Sequence, residues 1–221
     1  MRYTILSLLL IPQLLFAQGK LEQAMIRQGL VDIQQVDPTI RVDLKYSTTD
    51  NFIGKDVYGD LTRAYLQPMA ARKLATASKL LRQKHPDLRL LVYDATRPRS
   101  AQWDLWHTLK HLPVNERGKY VSNPRNGSVH NFGCAVDLTL ATKAGKPLDM
   151  GTQFDYFGEL AYPIKEDQLL KHGKLTQKQV DNRRLLRSVM KQAGFAPLSA
   201  EWWHFNALSR AEAKKQYKIV E

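Results

Sequence analysis

Two segments some seventy residues apart hold side chains that could do chemistry together: Ser128-Val-His-Asn-Phe-Gly-Cys-Ala-Val-Asp137 and Glu201-Trp-Trp-His204. They supply two imidazoles, one carboxylate ligand and one carboxylate to spare. A catalytic zinc ion characteristically takes three protein ligands, keeps a fourth position for water and works beside a carboxylate that moves protons. His130, Asp137 and His204 are the expected ligands, and Glu201 the expected base. Two imidazoles with one carboxylate favour zinc over iron or magnesium. Taken singly, a histidine on an apolar stretch is more often a hydrogen-bonded core residue than a ligand. What shifts the balance is that two of the six histidines each stand seven or three positions from an acidic residue.

The elements that must position these groups can be read locally. Cys134 to Leu140 is a β-prone run in which alternate side chains point to opposite faces. Cys134, Val136, Leu138 and Leu140 then share an apolar face, and Asp137 shares the other with the small residues Ala135 and Thr139. Gly133 suits a tight bend that brings His130 round to the same point. In the second segment, strand parity would set Glu201 opposite His204, so Glu201 is expected in an irregular stretch after Pro197 and not in a strand.

Elsewhere the sequence predicts a short helix over Leu21 to Leu30, a strand over Ile40 to Tyr46 and a loop at Asp50-Asn-Phe-Ile-Gly54. Pro68 opens a helix with Ala70, Leu74, Ala77 and Leu81 on one face, ended by His85-Pro86. The strand Leu88 to Tyr93 runs into Asp94-Ala-Thr-Arg-Pro98. The residue before a proline is kept out of helical dihedrals, so Arg97 is expected at a fixed place past a strand end, able to aim into a cleft. On local sequence alone, a surface arginine pairing with Asp94 is the simpler reading. Trp103, Leu105, Trp106, Leu109 and Leu112 mark a helix over about Ser100 to Leu112 whose aromatics read as core. Thr176-Gln-Lys-Gln179 is a capping box for a helix carrying Leu186, Val189, Met190 and Ala193, with Gly194 to terminate it. The expected fold class is α+β: a single domain with a small, mostly antiparallel sheet flanked by helices.

A chain of 221 residues can bury a substantial core without disulfides, and its lone Cys134 cannot form an intrachain one. Arg2, the apolar run Ile5 to Phe16 and the small residue Ala17 have the pattern of an export signal over 1–17, too short and interrupted to be a stable membrane anchor. A buried first helix of a cytosolic protein is the alternative. Residues 18–221 then form the catalytic domain, periplasmic or secreted. The formal charge of +12 invites a nucleic-acid partner, yet the lysines and arginines are scattered along helix-like faces and no nucleic-acid motif accompanies them.

Together, Ser-x-His-x-x-Gly-x-Ala-x-Asp and Glu-x-Trp-His resemble the zinc D-alanyl-D-alanine dipeptidases best known from vancomycin resistance, relatives of D,D-carboxypeptidases and of the Hedgehog fold. The likeness runs from about Tyr46 to Phe205 and takes in Lys45-Tyr46, Asp50-Asn-Phe-Ile-Gly54, Arg97-Pro98, Met150-Gly151, Phe154-Asp155 and Gly194-Phe195. It implies one zinc ion on His130, Asp137 and His204, with Glu201 moving the proton of the attacking water to the leaving amine. It further implies that Arg97 stabilises the oxyanion, that Asp155 accepts the ammonium of a small D,D-dipeptide, and that Tyr46 and Ser128 frame the pocket. Without the resemblance, Asp155 reads as a turn residue before Tyr156-Phe157. Ala95-Thr96 and Asp56-Val-Tyr-Gly-Asp60 depart from the resistance enzymes. An exported version suits turnover of wall-derived dipeptide more than resistance. A peptidoglycan D,D- or L,D-carboxypeptidase or endopeptidase with the same metal site is the alternative activity, and a non-catalytic zinc-dependent module that grips wall peptides is the alternative of another class.

Overall fold

In the computed structural model, which describes residues 19–221, the chain runs through α1 (Lys20–Arg27), β1 (Val31–Asp32), α2 (Ile33–Val36), β2 (Arg41–Val42), β3 (Tyr65–Leu66), α3 (Pro68–Lys84), β4 (Leu88–Asp94), α4 (Arg99–Thr108) and α5 (Val114–Arg117). It continues through β5 (Ala135–Thr142), α6 (Glu166–Lys171), α7 (Gln177–Gln192), β6 (Ala196–Pro197), β7 (His204–Asn206) and α8 (Arg210–Gln216). The expected leader over 1–17 lies outside the described residues. Among those residues no helix is long and apolar enough to cross a membrane.

Five strands form one sheet in the order β2-β4-β5-β7-β6, with β2 parallel to β4 and every other pair antiparallel. The class is α+β with a mostly antiparallel sheet, as the sequence predicts. Alternation sorts the two faces. Val136, Leu138 and Leu140 of β5, with Leu90 and Val92 of β4, join Leu74, Leu81, Leu186 and Val189 in the main core beneath α3 and α7. The opposite face carries Leu91, Tyr93 and Ala141 in a small cluster with Phe154, and on this face stands Asp137. Cys134 precedes the strand and packs with Val129, Phe132 and Ala213, so it does not share the face of Val136 as strict alternation from 134 would have it.

Some boundaries move for local reasons. The strand expected over Ile40 to Tyr46 ends at Val42, because the chain turns into a 3-10 helix at Lys45–Ser47 and the Tyr46 carbonyl accepts from Val57 and Tyr58 N–H at 2.9 and 3.2 Å. The helix expected to reach Leu112 stops at Thr108, ahead of Pro113. Pro68 is the first residue of α3, and both Thr176 and Gln179 close the capping box of α7.

Gly133 ends the 3-10 helix Val129–Phe132 with φ of 68°, in the left-handed region. A Cβ there would meet Leu30 Cδ2 at 2.8 Å, Thr96 Oγ1 at 3.0 Å and the Gln67 backbone nitrogen at 3.3 Å, whereas one at Gly145 (φ 92°) would meet nothing within 4 Å. Left-handed strain costs a non-glycine residue about 1–2 kcal/mol. Gly145→Ala should therefore lower unfolding free energy by about that strain, and Gly133→Ala by clearly more, as read from urea titrations of the two variants. Equal losses would contradict the close packing of this bend.

Candidate active site

The sheet sets Asp137 and His204 side by side. They are direct partners in the β5–β7 register, so their side chains leave the same face at neighbouring positions. His130 arrives from the 3-10 helix that follows Ser128, whose hydroxyl accepts the His130 N–H at 3.3 Å and caps the turn. One ligand atom from each of the three residues falls within 4.8 Å of the others, and all three residues are buried. His130 Nε2 lies 3.1 Å from His204 Nδ1 and 3.4 Å from Asp137 Oδ1, and His204 Nδ1 lies 2.9 Å from Asp137 Oδ1.

The outer edges of both rings are already spoken for. His130 Nδ1 donates to the Ala95 carbonyl at 2.7 Å, and His204 Nε2 donates to Asn206 Oδ1 at 2.9 Å. In their neutral forms the rings then turn lone pairs inward, toward a carboxylate that can only accept. Three acceptors on one point need a cation, and this donor set of two imidazole nitrogens and one carboxylate oxygen fits zinc. The ring partners are the kind of outer contact that orients metal ligands. Burial by itself would raise Asp137, but His130 and His204 hold its carboxyl well below the usual carboxylate range. Burial disfavours charge on His204 too, yet the Asp137 anion outweighs it and lifts the imidazole to about 9.

Glu201 lies in the irregular stretch after Pro197, just before the bend that leads into β7, as expected. Its Oε2 is 3.8 Å from His204 Nδ1, and a third of its side chain is exposed to the cavity. Burial and the Asp137 charge raise its carboxyl above the ordinary glutamate value, against the pull of His204, His130 and Arg97.

Arg97 is buried, not on the surface, and still pairs with Asp94: its Nε and Nη2 donate to Asp94 Oδ2 at 3.0 and 2.5 Å. Both readings of the sequence thus hold part of the geometry, since its Nη2 also comes within 3.7 Å of Asp137 Oδ2 and its guanidinium lies over the Tyr46 ring and lines the cavity. Asp94 is aimed by a register shift in β4: Val92 pairs with Leu138 but Asp94 pairs with Asp137, so one extra residue turns Asp94 from the core face to the site face. Tyr58 donates to Asp94 Oδ1 at 2.5 Å, and Gln102 accepts from Arg97 Nη1 at 3.0 Å. Sequence reasoning did not single out Tyr58, Gln102 or Asn206. The signal that could have found Asn206 is its place two residues from His204 on one strand face, while Tyr58 and Gln102 carry none.

A cavity of about 300 Å³ opens over these groups, lined also by Tyr46, Ser128 and Asp155. Asp155 is held in the left-handed region at φ 58°, the one non-glycine residue with positive φ among those described, and accepts from the Tyr46 hydroxyl at 2.6 Å. Such a conformation in an aspartate costs free energy and recurs at functional sites. Burial, with Asp137 and Glu201 nearby, raises its carboxyl well above the ordinary value, opposed by the Tyr46 bond and by Arg97.

This sheet-borne cluster, with a free carboxylate at its edge and a small cavity above it, has the donor set and the access that a metallopeptidase site requires. The chain belongs to the D-ala-D-ala dipeptidase family, whose profile matches residues 26–220. It is 35% identical over 176 residues to the D-alanyl-D-alanine dipeptidase of Escherichia coli (strain K12), covering 80% of this chain and 83% of that one. Dipeptidases of the same name from Enterococcus faecium and Streptomyces coelicolor are 30% and 31% identical over 191 and 182 residues, covering 80% and 75% of this chain and 90% and 85% of theirs.

Metal ligands bind deprotonated, so an ion taken up at neutral pH must displace the proton that His204 carries below about 9. Zinc titrated into the chelator-treated protein at pH 7 should release about one proton, measured by calorimetry in buffers of different ionisation enthalpy, with affinity rising toward pH 9. The sign for stability follows from the same value. A histidine raised from 6.5 to about 9 stabilises the metal-free fold fully below 6.5 and ceases to do so as pH climbs through 9.

Proposed function

We propose that this enzyme is a zinc dipeptidase that hydrolyses D-alanyl-D-alanine to two D-alanines. The observation that carries the reading is one cavity bringing together His130, Asp137 and His204, the free carboxylate of Glu201, and Asp155 bonded to Tyr46. The names of the relatives point to the same substrate. Held by His130, Asp137 and His204, zinc would supply a Lewis acid that polarises the scissile carbonyl and acidifies water.

The protein's own groups divide the remaining work. Glu201 takes the proton of the attacking water and returns it to the leaving amine nitrogen, a task suited by its raised carboxyl. Arg97, braced by Asp94 and Gln102, presents positive charge where negative charge develops on the carbonyl oxygen. Asp155 accepts the substrate's free ammonium, and the ammonium in turn favours the ionised form that burial alone disfavours. Tyr46 holds that carboxylate in place, and Ser128 shapes the wall beside His130. An acylated amino terminus brings no charge to Asp155, which sets this reading apart from a carboxypeptidase or endopeptidase. The raised carboxyl of Glu201, standing free of the three ligand positions, supports an enzyme over a binding module.

Product analysis with D-Ala-D-Ala, L-Ala-L-Ala and N-acetyl-D-Ala-D-Ala, with and without chelator, tests the proposal. Cleavage of the free D,D-dipeptide alone, abolished by chelator, is expected. Glu201→Ala should keep its zinc and lose about 10²- to 10⁴-fold in kcat, whereas His130→Ala and His204→Ala should lose the metal. Asp155→Asn should narrow the gap between free and acetylated substrate. Comparable turnover of both by the unaltered enzyme would instead favour the carboxypeptidase reading.

For the place of action, the leader pattern over 1–17 supports export to the periplasm and a role in turnover of wall-derived dipeptide. The mature protein should then be recovered from the periplasmic fraction beginning at Gln18. A cytoplasmic protein retaining Met1 would reject this.

A further inference from the structure

We propose that Arg210 recognises the free carboxylate at the carboxy-terminal end of the substrate, an assignment that rests on the dipeptidase reading above. Among the described residues, three lysines and arginines line the cavity: Arg97, Lys119 and Arg210. Two of them are committed. Arg97 pairs with Asp94 and Asp137, and Lys119 pairs with Glu116. Arg210 makes no ion pair among the described residues; its Nη2 donates at 3.0 Å to the neutral hydroxyl of Ser122. The rest of its guanidinium is left for a ligand, and a guanidinium fork matches a carboxylate in charge and in planar geometry.

The side chain is also placed. Ser122 is tied down through its carbonyl, which accepts from Gln102 Nε2 at 2.9 Å, and Gln102 in turn accepts from Arg97 Nη1 at 3.0 Å. A line of hydrogen bonds therefore runs from the buried Arg97 to Arg210 at the rim. Helix α8, which begins at Arg210, packs against the 3-10 helix of His130, so Arg210 stands on the imidazole flank of the cavity. Asp155 stands on the flank of Tyr46, whose ring packs against Phe52 and Phe154. A free dipeptide carries one positive and one negative terminus, and the cavity offers an anion for the first and an uncommitted cation for the second. A ligand with both termini free can use both contacts, and one blocked at either end loses one of them.

The test compares the zinc-loaded protein with its Arg210→Gln and Arg210→Lys variants on D-Ala-D-Ala and on D-Ala-D-Ala amide, whose carboxy terminus is neutral. Arg210→Gln should raise KM for the free acid about tenfold, the size expected for losing one hydrogen bond to a charged group. The amide should not share that change, and Arg210→Lys should recover part of it. Equal losses on acid and amide, or no loss on the acid, would overturn the assignment while leaving the dipeptidase reading intact. Failure of the unaltered enzyme to cleave D-Ala-D-Ala would overturn both.

Discussion

Three hydrogen-bond acceptors aimed at one buried point form the constraint on which this molecule is built. The Asp137 carboxylate and the inward nitrogens of His130 and His204 lie 2.9 to 3.4 Å apart, a spacing that repels unless positive charge lies among them. Protons can meet that need, as the raised His204 shows, and so can a divalent ion. The surroundings hold the arrangement from outside. Ala95 and Asn206 fix the two rings, the β5–β7 register fixes Asp137 against His204, and the left-handed turn at Gly133 returns the chain from His130 into the strand.

The same principle orders the rest of the cavity. Buried carboxylates are costly unless matched, and here each has a stated partner. Asp94 takes Arg97 and the Tyr58 hydroxyl; Asp137 takes the two imidazoles; Asp155 takes the Tyr46 hydroxyl. Asp155 is the least well matched, with two further carboxylates raising it, and it also sits in strained backbone. Charge balance thus links the His130, Asp137 and His204 cluster, Arg97 and Asp155 into one electrostatic unit.

Much of the framework follows from local rules. Pro68, the Thr176 capping box and the apolar rows of α3 and α7 read directly as helix starts and buried faces, and β5 reads as a strand with Asp137 alone among small neighbours on its outer side. Local rules fail where long-range pairing intervenes. The strand from Ile40 was expected to run to Tyr46, but hydrogen bonds from Val57 and Tyr58 turn the chain and bury the tyrosine under the cavity. For Arg97 the pairing with Asp94 and the place in the cleft are compatible, because both residues are buried and the pair is not on the surface.

By itself, then, the sequence determined which side chains are available for chemistry, in what order, and on which local elements, because periodicity, capping and proline geometry act over a few residues. Tertiary structure alone decided how they meet. The extra residue in β4 that turns Asp94 toward Asp137, the pairing of β5 with β7, and the approach of Tyr58 to Asp94 all join positions tens of residues apart or turn on a register shift. No local pattern encodes a strand register or a bulge, since these are settled by the packing of the whole sheet.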